Sequence, residues 1–225
     1  FDGDGLNNGQ EQNLGTDPTV VDTDGDGATD YVEYQEGSDP VDPEDRPGQV
    51  ARNMATGERF FSIQQALSSA DSGTVVAVRS AIINLAAPIR LVSGVKLVGG
   101  YDRQWQQTGN ADSTLLDGQD ITTCLQGENL SPDTAVANLT VQSGYAGGYI
   151  DEDGGGMRLG PGADLLVSNC IFRSNRSVPF QTWEGELLGG GAVSMRFCAP
   201  TFVDVTIQSN EVANGVGGAA RAYYS

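Results

Sequence analysis

The chain contains no histidine. That absence removes Ser-His-Asp triads, histidine general bases and His-ligated zinc together. Cysteine is scarce: Cys124, Cys170 and Cys198 form no Cys-x-x-Cys pair, so thioredoxin and zinc-ribbon chemistry find no support. They permit at most one intrachain disulfide, and Cys170–Cys198 is one conceivable pairing. Cations are few, with 12 Lys and Arg against 30 Asp and Glu in 225 residues and a formal charge of −18. Duplex nucleic acid is a poor partner for such a surface. No run approaches the ~20 apolar residues of a membrane-spanning helix. Glycine, by contrast, is abundant at 31 residues, without a collagen triplet. A hydrophobic fraction of 38% is enough for a folded core.

The negative charge is concentrated at one end. Residues 1–48 hold 14 acidic side chains and one basic one, Arg46, whereas residues 49–225 hold 16 acidic and 11 basic. This shift, with the Pro and Asp punctuation of residues 43–48, places a domain boundary there. The acidic segment repeats with a period of 22: Asp2-Gly3-Asp4-Gly5 returns as Asp24-Gly25-Asp26-Gly27, Glu11 as Glu33, and Gly15-Thr16-Asp17-Pro18 as Gly37-Ser38-Asp39-Pro40. A solvated acidic tail has no reason to keep such register.

The second copy has the ligand spacing of an EF-hand-like calcium loop. Asp22, Asp24 and Asp26 stand at the first three ligand positions, and Gly27 at the sharp turn. The Ala28 carbonyl, Asp30 and Glu33 complete the set. Ca²⁺ is a hard cation that takes six to eight oxygens, and without one such carboxylates repel each other. The first copy offers Asp2, Asp4, the Leu6 carbonyl, Asn8 and Glu11, with its first position falling before Phe1. Chain is therefore expected before Phe1. A third copy would put Glu44 and Arg46 where Asp22 and Asp24 stand, and Arg46 excludes a normal third loop. A metal-free acidic linker is the competing reading. On the calcium reading, chelation loosens residues 1–45 and leaves the rest folded.

With their Gly-Thr-Asp-Pro ending, these units resemble bacterial thrombospondin type 3 repeats over residues 1–45. Dockerin loops are similar but continue into a longer helix at that point. The resemblance implies calcium-dependent folding in a secreted or cell-surface protein.

Residues 49–225 read as stacked strands. Ile63, Ala66, Leu67 and Ala70 fall at helical spacing, and Asp71-Ser72-Gly73 ends that helix. Short apolar runs follow at 74–78, 89–92 and 94–98. Asn138-Leu139-Thr140-Val141-Gln142-Ser143-Gly144 recurs at 169–175 and 204–210, and Gly154-Gly155-Gly156 at 189–191. Alternation puts Leu139/Val141, Cys170/Phe172 and Val205/Ile207 on one face. Gly144, Asn175 and Asn210 suit a left-handed turn. One such unit cannot bury its own apolar face, so the copies must stack. At roughly 30 residues per coil, about six coils are expected.

The glycine triplets resemble those of polymorphic outer-membrane-type adhesins. Residues 61–78, Gly94-Val95-Lys96-Leu97-Val98-Gly99-Gly100-Tyr101-Asp102 and Thr114-Leu115-Leu116-Asp117-Gly118 resemble the opening of pectate-lyase-like proteins. Together they imply an all-β fold, a right-handed parallel β-helix with a short N-terminal capping helix, preceded by the calcium-binding loops. Residues 217–225 end the chain just after a coil motif, so a continuation beyond Ser225 or a partner on the open coil end is expected.

No catalytic constellation stands out. Asp151-Glu152-Asp153, and Asp117 with Asp120 around Gly118, read as turns, and Arg158, Arg173 and Arg196 align with no carboxylate pair. The insertion at 176–188 carries Phe180 and Trp183, which with Tyr149 would stack on a sugar, meet a partner or pack on the chain itself. Tyr101 and Trp105 carry the same alternatives. Three functions remain open. The favoured one is a calcium-stabilised structural or adhesive module at the bacterial outer surface, with cell-surface glycans or surface proteins as partners. The others are a polysaccharide lyase or hydrolase whose catalytic coils lie outside this chain, and a subunit of an extracellular assembly.

Overall fold

Apolar residues two apart, in short β-branched runs between Gly, Asn and Ser turns, favour pleated strands over helices. The computed structural model describes residues 1–147, 154–178, 180–181, 187–188, 190–213 and 218–223, and these are mostly strands. Among the described residues three short α-helices occur: α1 (Asn8–Leu14), α2 (Asp30–Glu36) and α3 (Ile63–Ser69). Helix α3 turns Ile63, Ala66 and Leu67 into the main core, as its spacing requires.

The sheet begins antiparallel, with Ala51–Asn53 between Arg59–Phe60 and Val75–Arg79. It then runs parallel through Val75–Arg79, Lys96–Tyr101, Thr134–Gln142, Leu165–Arg173 and Thr201–Val203. The two nine-residue strands also carry a second wing formed by Ile82–Asn84, Leu115–Asp117 and Thr206–Gln208. A five-stranded parallel sheet stacks Ile89–Arg90, Leu125–Gly127, Met157–Leu159, Val193–Arg196 and Ala220–Tyr223. A three-stranded one stacks Tyr145–Gly147, Arg176–Val178 and Glu211–Val212.

The expected columns are present. Leu139 pairs with Cys170, and Val141 with Phe172 and then Ile207. The first four are buried, while Ile207 and Val205 pack against the core from its rim. Each long strand bends at a residue of positive φ, Asn138 (56°) and Asn169 (47°), followed in the next copy by Asp204 (52°). Short polar side chains tolerate this conformation.

The sequence points to Gly144, Asn175 and Asn210 for the second left-handed position, but the structure puts it one residue earlier. Ser143, Ser174 and Ser209 carry φ of 50°, 53° and 54°. The reason is that the asparagines are needed as a ladder. Asn175 accepts the Gly144 N–H at 2.9 Å and donates to the Val141 carbonyl at 3.0 Å. Asn210 repeats this one rung on, to the Asn175 N–H and the Phe172 carbonyl.

Two further expectations change. All three cysteines are buried free thiols, so no Cys170–Cys198 bridge forms. Tyr101 and Trp105 are buried with Ala77 and Val98, which makes them a satellite core and not a binding surface. Tyr149, Trp183 and residues 151–153 lie outside the described residues, as does the side chain of Phe180. No described helix is long and apolar enough to cross a membrane.

Candidate functional site

Each acidic repeat folds as a turn followed by a two-turn helix. In the turn, carboxylates hold the backbone of the following residues. Asp2 accepts the Asp4 N–H at 3.1 Å and Asp4 the Leu6 N–H at 2.8 Å. One period later Asp24 accepts from Asp26 at 3.1 Å and Asp26 from Ala28 at 2.7 Å. Asp22 adds bonds from Gly25 and Gly27, and Gly27 takes φ of 100°, which a side chain would resist.

The helices are then capped. Asn7 and Gln10 form a reciprocal box at the start of α1, and the Thr29 side chain accepts from Val32 at the start of α2. Gly15 and Gly37 close the two helices at φ of 84° and 85°. This geometry points Glu11 and Glu33 inward, both with no exposed surface.

The result is two carboxylate clusters. Ligand oxygens of Asp2, Asp4 and Glu11 lie within 4.8 Å of one another, as do those of Asp22, Asp24 and Asp26. Asp22 and Asp4 use both their oxygens, whereas other carboxylate oxygens are left over. Asp2 Oδ2, Asp24 Oδ2, Asp26 Oδ2 and both carboxylate oxygens of Glu11 and Glu33 are buried without a hydrogen-bond partner. Buried polar atoms are rarely left so.

Burial pushes the Glu33 carboxyl up to about 8, with Asp24, Asp26 and Asp30 adding repulsion. Burial and then Asp2 and Asp4 raise Glu11. Burial raises Asp24 and Asp30 against the hydrogen bonds that favour their ionised forms. Arg46 approaches Asp26 Oδ2 at 3.9 Å from the exposed side; the inward-facing donors are otherwise oxygens that fit a hard divalent cation, and such an ion would neutralise this repulsion.

Residues 2–20 and 22–43 match the family model of the bacterial TSP3 repeat. Repeats of this family are of the calcium-binding type. The two matched stretches are the two turn-and-helix units just described. No curated protein and no solved structure matches the chain.

Within the matched units, two residues of the sequence-derived ligand sets have distinctive surroundings. Asn8 is exposed at the start of α1. Asp30 is fully buried, but Thr23 occupies both its oxygens, through its N–H at 2.8 Å and its hydroxyl at 2.7 Å. Its strongest repulsion comes from Asp4 and Asp2, so it stands beside the first cluster as well as its own. Tyr31 reinforces this link by donating its N–H to Asp4 Oδ2 at 3.1 Å. A linear count of loop positions has no way to register such contacts between repeats. The Leu6 side chain is buried, and the Ala28 N–H donates to Asp26 within the second turn.

A second surface lies on the five-stranded sheet. Arg90, Gln126 and Arg158 occupy one column, and grooves of about 470 and 590 Å³ share them. Arg196 and Phe197 line the first groove; Phe197 is 50% exposed and held at φ of 47°. An aromatic residue strained in this way is a feature that binding sites accumulate. Among the described lining residues Glu128 is the one carboxylate. Asp117 serves structure instead, accepting from Gln142 at 2.7 Å and the Gln119 N–H at 2.8 Å. Arg173, unaligned in the sequence, reaches Gln142 at 2.9 Å and Asp112 at 3.6 Å.

Proposed function

We propose that residues 1–48 form a two-site calcium-binding stalk on a second domain, residues 49–225, and that the whole is a structural or adhesive module at the outer surface of a bacterium. The observation that carries the calcium reading is the set of seven stranded carboxylate oxygens in the two repeats. The first site would use Asp2, Asp4 and Glu11, with Asp30 beside them. The second would use Asp22, Asp24, Asp26 and Glu33. Bound calcium would supply charge neutralisation and fixed turn geometry, while the capped helices hold the glutamates in place.

The parallel ladders, recurring at offsets of 31 and 35 residues, support winding of the second domain as a right-handed parallel β-helix. Asparagine rungs and buried columns suit a rigid scaffold. The arginine column in its groove favours acidic cell-surface glycans as the adhesive partner, because guanidinium groups pair with carboxylate and sulfate.

Titration calorimetry tests the first part. Two calcium ions per chain are expected, in the roughly 0.1–1 mM range of extracellular modules or tighter. No heat up to several millimolar calcium would refute it. Retention on immobilised acidic glycan, lost in Arg90→Glu and without release of shorter products, supports the adhesive reading over an enzyme.

A further inference from the structure

The second repeat does not end freely. Its last turn is held by Asp45, whose Oδ2 accepts the Asp39 N–H at 3.1 Å. One period earlier Thr23 does the same for Asp17, at 3.0 Å. Thr23 also passes the connection onward to Asp30 of its own repeat. Asp45 passes it instead to the β-body. Arg79 Nη2 lies 2.7 and 2.6 Å from its two oxygens, and both residues are almost fully buried. The Arg79 guanidinium is stacked over Trp105 at 4.5 Å and approaches the Gln49 carbonyl. The body thus fills the place of a next repeat.

Two further staples grip the same repeat. Arg59 reaches Asp42 at 2.5 Å with its own side chain buried. Arg103 donates to the Tyr34 carbonyl at 3.3 Å and lies over the Tyr34 ring at 5.4 Å. Tyr34 is on α2, the helix that presents Glu33. The staples therefore hold the helix that presents Glu33 and the turn that follows it, residues 39–45.

We infer that the β-body is the closing cap of the repeat array, and that calcium at the second site and folding of the body are coupled through Asp45 and Arg79. Terminal repeats need such a cap, because each repeat is stabilised by its neighbours. Coupling is reciprocal, so a body that holds the site in shape is itself stabilised when the site fills. This rests on the calcium reading above, and it departs from a stalk that loosens alone.

The test is hydrogen exchange of Thr134–Gln142 and Leu165–Arg173, far along the ladder, together with the thermal midpoint, in calcium and in chelator. Calcium binding is measured alongside by calorimetry. At a hundredfold excess over Kd, one cooperative unit should gain about 5–10 °C and slow exchange in both strands. Asp45→Asn should abolish that gain and weaken calcium binding at least about fivefold. Arg103→Ala leaves no buried charge unpaired and should reduce the gain even if Asp45→Asn fails to fold. Calcium that binds while strand exchange stays unchanged overturns the coupling and leaves the calcium sites standing. Full coupling in both variants overturns it as well. Absence of binding overturns both readings.

Discussion

The buried Glu33 carboxyl makes stability and calcium affinity respond to pH with opposite signs. Its folded value is pushed up to about 8 from an ordinary 4.5. Without calcium, the folded chain keeps a proton that the unfolded chain releases near 4.5. The contribution is full below that pH and is lost as pH rises towards 8. At 1.36 kcal/mol per unit the ceiling is about 5 kcal/mol, and water around the loop screens this to about 2 kcal/mol. Glu11, Asp24 and Asp30 are raised as well and act in the same direction.

With calcium the sign reverses, because the ion must displace the proton. At pH 6 only about one Glu33 in a hundred is ionised in the calcium-free fold and at pH 8 about half, so apparent affinity should rise by up to about fiftyfold between pH 6 and 8. Calorimetry in buffers of different ionisation enthalpy counts the released proton. Denaturant titration in chelator follows the falling stability. Glu33→Gln should flatten both slopes at the second site. A calcium affinity independent of pH over this range would refute the argument, and so would a calcium-free segment that grows more stable from pH 5 to 8.

Three other outcomes are expected. Asp26→Ala removes a buried carboxylate of the proposed second site and the acceptor for the Ala28 N–H, and should weaken that site by about tenfold or more in calorimetry. Asn175→Ala strips two buried backbone groups of their partners and should cost about 2 kcal/mol in denaturant unfolding; a loss below about 0.5 kcal/mol would mean the ladder is ornamental. Burial pushes Cys124 up to about 12 and Cys170 to about 11, so thiol reagents should modify neither until the chain unfolds; rapid labelling of the native protein would contradict the buried placement.

Much of the site can be read along the chain because its geometry is local. Asp2, Asp4, Asp22, Asp24 and Asp26 fold back on backbone groups two to five residues away, and Glu11 and Glu33 follow from the helices that begin just before them. Strand columns such as Leu139–Cys170 are equally legible, since a period of two and a recurring motif decide which side chains meet.

Composition and spacing were sufficient to determine two oxygen-rich repeats and a strand-built body, both of which depend on neighbours a few residues apart. Folding in three dimensions alone decided that Asp30 leans on the first site, that Trp105 is core, and that Asp45 is locked to Arg79. Those pairings join residues far apart in the chain, and their cost and gain depend on burial, which no linear pattern carries.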